Sequence, residues 1–135
     1  MRLKKKEHEF VYWQRVARFA TILPDGTPHN IPICPILEDG KLYFASEDNR
    51  KVKNLRAEPR CSVVFDEYTE LWEELTQVMI EGRATRFLTK GAEFRKLRKA
   101  FYEKYMQYPT AGGGINEDDT VIVEVTIDRA VSSGL

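Results

Sequence analysis

The stretch Tyr43-Phe44-Ala45-Ser46-Glu47-Asp48-Asn49-Arg50-Lys51-Val52-Lys53-Asn54-Leu55-Arg56-Ala57-Glu58-Pro59 decides how this chain is read. A short apolar strand runs into acidic and amide residues suited to an N-cap. The spacing predicts a helix over about residues 49–57, with Val52 and Leu55 inward. Glu58-Pro59 ends it, because the residue before a proline is pushed out of the helical region. A helix start exposes unpaired N–H groups and the positive end of a dipole, so it favours an anion. Arg50, Lys51 and Lys53 add a guanidinium and two ammonium groups there, which suits a phosphate monoester. Taken alone, the same residues also read as a solvated basic helix face.

Strands surround this helix on both sides. Lys41 to Ala45 precedes it, behind a turn at Glu38-Asp39-Gly40. Ile31 to Leu37 reads as one strand, and its Pro32 and Pro35 cannot donate to a ladder. Such a segment belongs at an edge, at a bulge, or where the backbone serves something other than a neighbouring strand. Val16 to Leu23 is a further strand, closed by Pro24-Asp25-Gly26-Thr27, and two consecutive hairpins imply a meander. Before it, about residues 4–13 suit a charged helix.

Downstream, Cys61 to Phe65 reads as a buried strand. Gln77 to Leu88 alternates, with Val78, Ile80 and Ala84 on one face. Ala92 to Tyr105 carries Phe94, Leu97, Phe101 and Tyr105 at helical spacing, a stripe expected to cap the sheet. Tyr108 to Asp119 reads as a flexible loop; its Gly112-Gly113-Gly114 lacks the strand–loop–helix setting of a phosphate cradle. Thr120 to Asp128 is the last strand, with Val121, Val123, Val125 and Ile127 on one face. Six strands joined mostly by tight turns predict a mainly β, mainly antiparallel barrel with peripheral helices. It forms a single domain over residues 1–135, its core at about 14–128.

Composition narrows the function classes. The chain has 135 residues, enough for one real core, and 15 aromatics within a 42% hydrophobic content. Its 21 basic and 21 acidic residues balance, so a global field for nucleic acid is missing. Cys34, Cys61, His8 and His29 share no ligand spacing, and no metal site is expected. No signal peptide and no membrane-length apolar run is evident, so a soluble, cytoplasmic protein is expected.

The segment from Arg18 to Ile33, Arg18-Phe19-Ala20-Thr21-Ile22-Leu23-Pro24-Asp25-Gly26-Thr27-Pro28-His29-Asn30-Ile31-Pro32-Ile33, resembles the opening of the pyridoxamine 5'-phosphate oxidase-like, FMN-binding split β-barrel family. Arg50-Lys51 with Asn54-Leu55 and Glu58-Pro59 is similar to that family's phosphate-binding helix. Gln77-Val78-Met79-Ile80-Glu81-Gly82-Arg83-Ala84 looks like its long central strand. The resemblance covers about residues 14–128. It implies a six-stranded antiparallel split barrel and a homodimer with two flavin sites at the subunit interface. In that pattern Arg50 and Lys51 grip the FMN phosphate, and Ser46 adds a hydroxyl. The Phe44–Ala45 backbone lines the ribityl chain, Ile31, Pro32 and Ile33 lie along the isoalloxazine edge, and Gln77 reaches the cofactor from the long strand. Lys53 is a secondary candidate, because relatives that use the 8-hydroxy-5-deazaflavin coenzyme place extra basic residues near this helix.

The resemblance implies hydride transfer between the flavin, or the deazaflavin, and a small organic substrate. The ring carries that chemistry, so no catalytic side chain is named. A non-catalytic FMN carrier or sensor is the alternative. A small barrel binding nucleic acid through Arg50, Lys51, Lys53, Arg56 and Arg60 is a third reading, disfavoured by the neutral charge. The true oxidases carry a later Arg-x-His substrate motif, and no histidine follows His29, so oxidation of pyridoxamine 5'-phosphate is not expected.

Overall fold

In the computed structural model, which describes residues 2–111 and 113–135, one seven-stranded antiparallel sheet curls around an apolar interior. Helix α1 (Lys5–Trp13) leads into β1 (Ala17–Ile22), β2 (Pro28–Ile33), β3 (Ile36–Glu38) and β4 (Lys41–Ser46). Helix α2 (Arg50–Ala57), β5 (Arg60–Glu67), a 3₁₀ turn at Trp72–Glu74 and β6 (Thr76–Leu88) follow. Then come α3 (Ala92–Lys104), the short α4 (Tyr108–Ala111) and β7 (Val121–Ser133). The strand order is β2-β1-β5-β6-β7-β4-β3.

That order corrects two sequence expectations. The stretch Ile31 to Leu37 is not one strand of a meander but two, and the strand count is seven rather than six. β2 pairs only with β1 and β3 only with β4, so consecutive strands end on opposite edges of the sheet. The break falls at Cys34-Pro35, where proline has no N–H to continue a ladder. The Pro35 carbonyl turns elsewhere, accepting the Tyr105 hydroxyl at 2.7 Å and the Lys104 ammonium at 3.0 Å. The curled sheet therefore closes on itself through this one covalent seam. The edge reading of Pro32 holds, since β2 is an edge strand.

The alternating residues of the long strands fill the barrel. Val78, Ile80, Val123, Val125 and Ile127 are buried together with Phe19, Phe44 and Phe65. Phe19 and Phe44 pack with ring centroids 4.9 Å apart. β7 runs on to Ser133, five residues past the expected end, because β6 continues to pair with it as far as Gln77↔Ser133. On the outer face α3 lays Phe94, Leu97 and Phe101 over Ile36, Tyr43 and Ile122, as its aromatic stripe predicts. The expected loop after α3 contains α4, and Gly112 lies outside the described residues. Among the described residues no helix is long and apolar enough to cross a membrane.

Glu124 is the buried charge under α3, only 1% exposed. Alternation along Val123-Glu124-Val125 puts it on the sheet's outer face, which α3 covers. A register shift between Ala84 and Arg86 leaves Thr85 unpaired, so that Thr85 and Arg86 both reach this carboxylate. Thr85 Oγ1 donates at 2.7 Å, Arg86 Nε at 2.9 Å, Tyr43 Oη at 3.0 Å and Lys41 Nζ at 3.3 Å. Arg86 also donates to Glu93 in the first turn of α3, which ties helix to sheet. Burial opposes ionisation of Glu124, but the hydrogen bonds from Arg86, Thr85 and Tyr43 outweigh it and hold the pKa down to about 2. A depressed carboxylate stabilises the fold above its ordinary 4.5 and loses that contribution as pH falls towards 2. Denaturant midpoints of the wild type should therefore drop across that acid range. Glu124→Gln should be less stable at neutral pH by about 1.5–3 kcal/mol, with a shallower acid slope. An unchanged slope would show that another group governs the acid transition.

Candidate functional site

Helix α2 begins directly after β4, and its first turn lacks a cap. Asn49 sits at the N-cap position in extended conformation, yet its side chain makes no capping bond. Its Oδ1 lies 3.3 Å from the Ser46 hydroxyl, which also reaches the Glu47 carbonyl at 2.7 Å. The first helical bond is donated by Lys53 to the Asn49 carbonyl. The backbone N–H groups of Arg50, Lys51 and Val52 thus have no acceptor among the described residues. They form a local positive end that an anion would satisfy.

The cations around this end are unpaired as well. The side chains of Arg50, Lys51 and Lys53 form no hydrogen bond or ion pair with another described residue. Arg50 faces the β1–β2 turn closely enough for its charge to help lower the Asp25 pKa, which the Thr27 amide lowers most. Lys51 is half-buried, and burial pulls its ammonium pKa down against the attraction of Glu47. It borders a cleft of about 710 Å³ with Ser46, Asn49, Tyr108, Gly114 and Asn116. Glu47, Asp48 and Asp119 also line that cleft, so its positive potential is confined to the helix start. Lys53 is exposed one turn further on.

Two free sheet edges flank α2. The β3–β4 ladder stops at Ile36↔Tyr43, leaving Phe44, Ala45 and Ser46 without a partner on that side. Extending the register would set these residues against Pro35, Cys34 and Ile33, but β2 departs there to pair with β1. The barrel is therefore split between β2 and β4, with the α2 start at the end of the split. The side chains of Ile31, Ile33 and Phe44 face the apolar interior, Pro32 is exposed, and what these residues offer the split is backbone. His29, also on β2, holds a buried Nδ1 with no hydrogen-bond partner among the described residues. The strand pattern carried no signal for that orphan.

Gln77 stands apart from the other expected residues. Ser46 pairs with Val121, level with the Leu88 end of β6, whereas Gln77 lies at the opposite end of that strand. Gln77 lies eleven positions before Leu88, roughly 36 Å of strand at about 3.3 Å per residue. Within one chain Gln77 and the α2 start do not share a site. Exposed apolar side chains gather near Gln77, with Leu71, Trp72 and Leu75 just before β6 and Val131 opposite Met79.

The pyridoxamine 5'-phosphate oxidase family model matches residues 3–132. The chain belongs to that family. A search of curated proteins finds no significant match. Among solved structures, an FAD-binding protein from Mesorhizobium loti superposes with a TM-score of 0.75 at 24% identity, over 96% of this chain and 92% of its own. An F420 reductase superposes with 0.73 at 16% identity, over 96% and 98%. HutZ, the haem storage protein of Vibrio cholerae, superposes with 0.79 at 14% identity, over 97% and 94%. These three establish a shared fold. Proteins that share this fold thus include ones named for FAD, for F420 and for haem.

Beside its buried Val52 and Leu55, a buried polar contact ties α2 to β1. Asn54 Nδ2 donates to Thr21 Oγ1 on β1 at 3.0 Å, and both residues are buried. Asn54→Ala should cost about 1–3 kcal/mol by leaving the hydroxyl unpaired. Replacing both partners, Asn54→Leu with Thr21→Val, should cost less than the two single changes summed, read in a double-mutant cycle of thermal melts. Additive losses would mean that the pair does not position the helix.

Proposed function

We propose that the split between β2 and β4 binds FMN, with 8-hydroxy-5-deazaflavin coenzyme as the alternative, and that the protein is an oxidoreductase acting on a small organic substrate. The observation that carries this reading is the uncapped α2 start, where three free amides and two unpaired cations await an anion. In this reading Arg50 and Lys51 hold the phosphate by charge-assisted bonds, and Ser46 adds its hydroxyl. The free Phe44–Ala45 edge follows the ribityl chain, and the Ile31–Pro32–Ile33 edge borders the ring. Lys53 serves a longer anionic tail of the deazaflavin type. The bound ring supplies hydride transfer; the chain's residues orient it and exclude water from one face.

Gln77 enters from a second copy of the chain. Its distance from the α2 start along β6, and the exposed Leu71 and Trp72 beside it, support a homodimer in which each subunit completes the other's site. Sedimentation at micromolar concentration should then give twice the monomer mass. Gln77→Ala should weaken flavin binding while the dimer persists. A monomer that binds flavin tightly would contradict the shared site.

The visible absorption spectrum of the purified protein tests the cofactor. Two flavin bands support FMN, a single near-visible band supports the deazaflavin, and a Soret band would replace both with haem. Arg50→Ala and Lys51→Ala should each weaken FMN by about 1.5–3 kcal/mol and leave riboflavin, which lacks the phosphate, little changed. Equal weakening of both ligands would remove the phosphate assignment. Reduction of an electron acceptor by the loaded protein separates an enzyme from a carrier.

A further inference from the structure

A second cleft, of about 250 Å³, lies between α1, β3 and α3 and shares no lining residue with the α2 site. Tyr12 and Trp13 form one wall, their rings edge-to-face at 5.0 Å, and Ile36 and Leu37 line the cleft beside them. Trp13 is 74% exposed, a large aromatic surface left open to solvent. Arg15 and Lys104 bring two cations to the same cleft. Arg15 Nη1 donates to the Lys104 carbonyl at 2.6 Å, and Lys104 Nζ donates to the Pro35 carbonyl at 3.0 Å. Both cations lie over the Tyr105 ring, at 5.8 Å and 5.4 Å from its centroid.

Neither cation has a carboxylate partner among the described residues. Glu38 and Glu103 line the cleft but pair with neither. Tyr105 and Tyr108 are held in the neutral form, mainly by burial, so they supply no counter-charge. Two like charges side by side, the Lys104 ammonium partly withdrawn from water and Arg15 exposed, are unfavourable until an anion joins them. The Lys104 ammonium reports this: burial first and the Arg15 charge second bring its pKa down to about 8, against a smaller opposing pull from Cys34.

We propose that this cleft binds a small aromatic carboxylate, its ring against Trp13 and Tyr12 and its carboxylate between Arg15 and Lys104. The volume is just below the range of about 300–1,000 Å³ typical of drug-sized ligands, so the acid has one or two rings. Cation–π contact already polarises Tyr105, and a carboxylate on the other side of the ammonium completes its coordination. An anion placed there favours the charged form of Lys104 and raises its pKa. Binding above about pH 8 must then take up a proton, and affinity must fall as pH rises further.

The test is calorimetric titration of the full chain with 2-naphthoate and indole-3-acetate, at about pH 7 and about pH 8.5, in two buffers of different ionisation heat. The expected result is saturable one-to-one binding with proton uptake at the higher pH only. Trp13→Ala and Lys104→Met should weaken it about tenfold or more. Lys104→Arg should keep the affinity and lose the proton uptake, and it carries the test should the methionine variant fail to fold by circular dichroism. Heats without saturation, binding unaltered in folded Lys104→Met, or no proton uptake would each overturn the proposal. So would a Trp13→Ala variant whose only change is its sedimentation mass, because the wall would then serve self-association.

Discussion

Pro35 is the constraint on which the remaining geometry depends. It removes a ladder donor at the one point where the chain passes between the two edges of the sheet. A residue able to pair there would let β2 and β3 run on as one strand alongside β4. Instead the chain parts, β2 turns to β1, and an edge of backbone opens between Ile31–Ile33 and Phe44–Ser46. The freed Pro35 carbonyl is bound by Tyr105 and Lys104, so the seam is fastened to the end of α3. The split and the fastening of the seam to α3 thus meet at one residue, whose nitrogen cannot donate and whose carbonyl accepts two bonds.

The two faces of the sheet divide the remaining tasks. The interior is apolar and fixes the barrel, whereas the outer face under α3 buries a carboxylate with four donors around it. A buried charge on this scale is tolerated only when its lone pairs are filled. The Thr85 bulge makes that possible by bringing two consecutive side chains to Glu124. Against this rigid frame, the α2 start stands out as unsatisfied. Its first three amides and the side chains of Arg50 and Lys51 have no partner among the described residues.

Periodic features were legible in the sequence. The α3 stripe Phe94, Leu97 and Phe101, the inward residues of β6 and β7, and the α2 boundaries follow from spacing and from Glu58-Pro59 alone. Pro32 and Pro35 announced an interrupted ladder, but local pattern cannot name a strand's partner, because pairing is decided by distant residues. Glu124 was hidden for a related reason: in an alternating strand its position reads as solvent-facing, and only the docking of α3 buries it. The sequence placed Ser46 and Arg50 beside one another through the short strand–helix step, whereas the separation of Gln77 from them needed the register of β6. The pairing of Arg15 with Lys104 joins segments 89 residues apart and left no trace in either one.

The central claim is that the α2 start receives the cofactor's phosphate. Its most direct test is amide resonance mapping by nuclear magnetic resonance during titration with FMN and, separately, with riboflavin. The N–H signals of Arg50, Lys51 and Val52 should move strongly downfield with FMN and far less with riboflavin. If both ligands shift the β2 and β4 edges while these three amides stay in place, the phosphate lies elsewhere and the account is wrong.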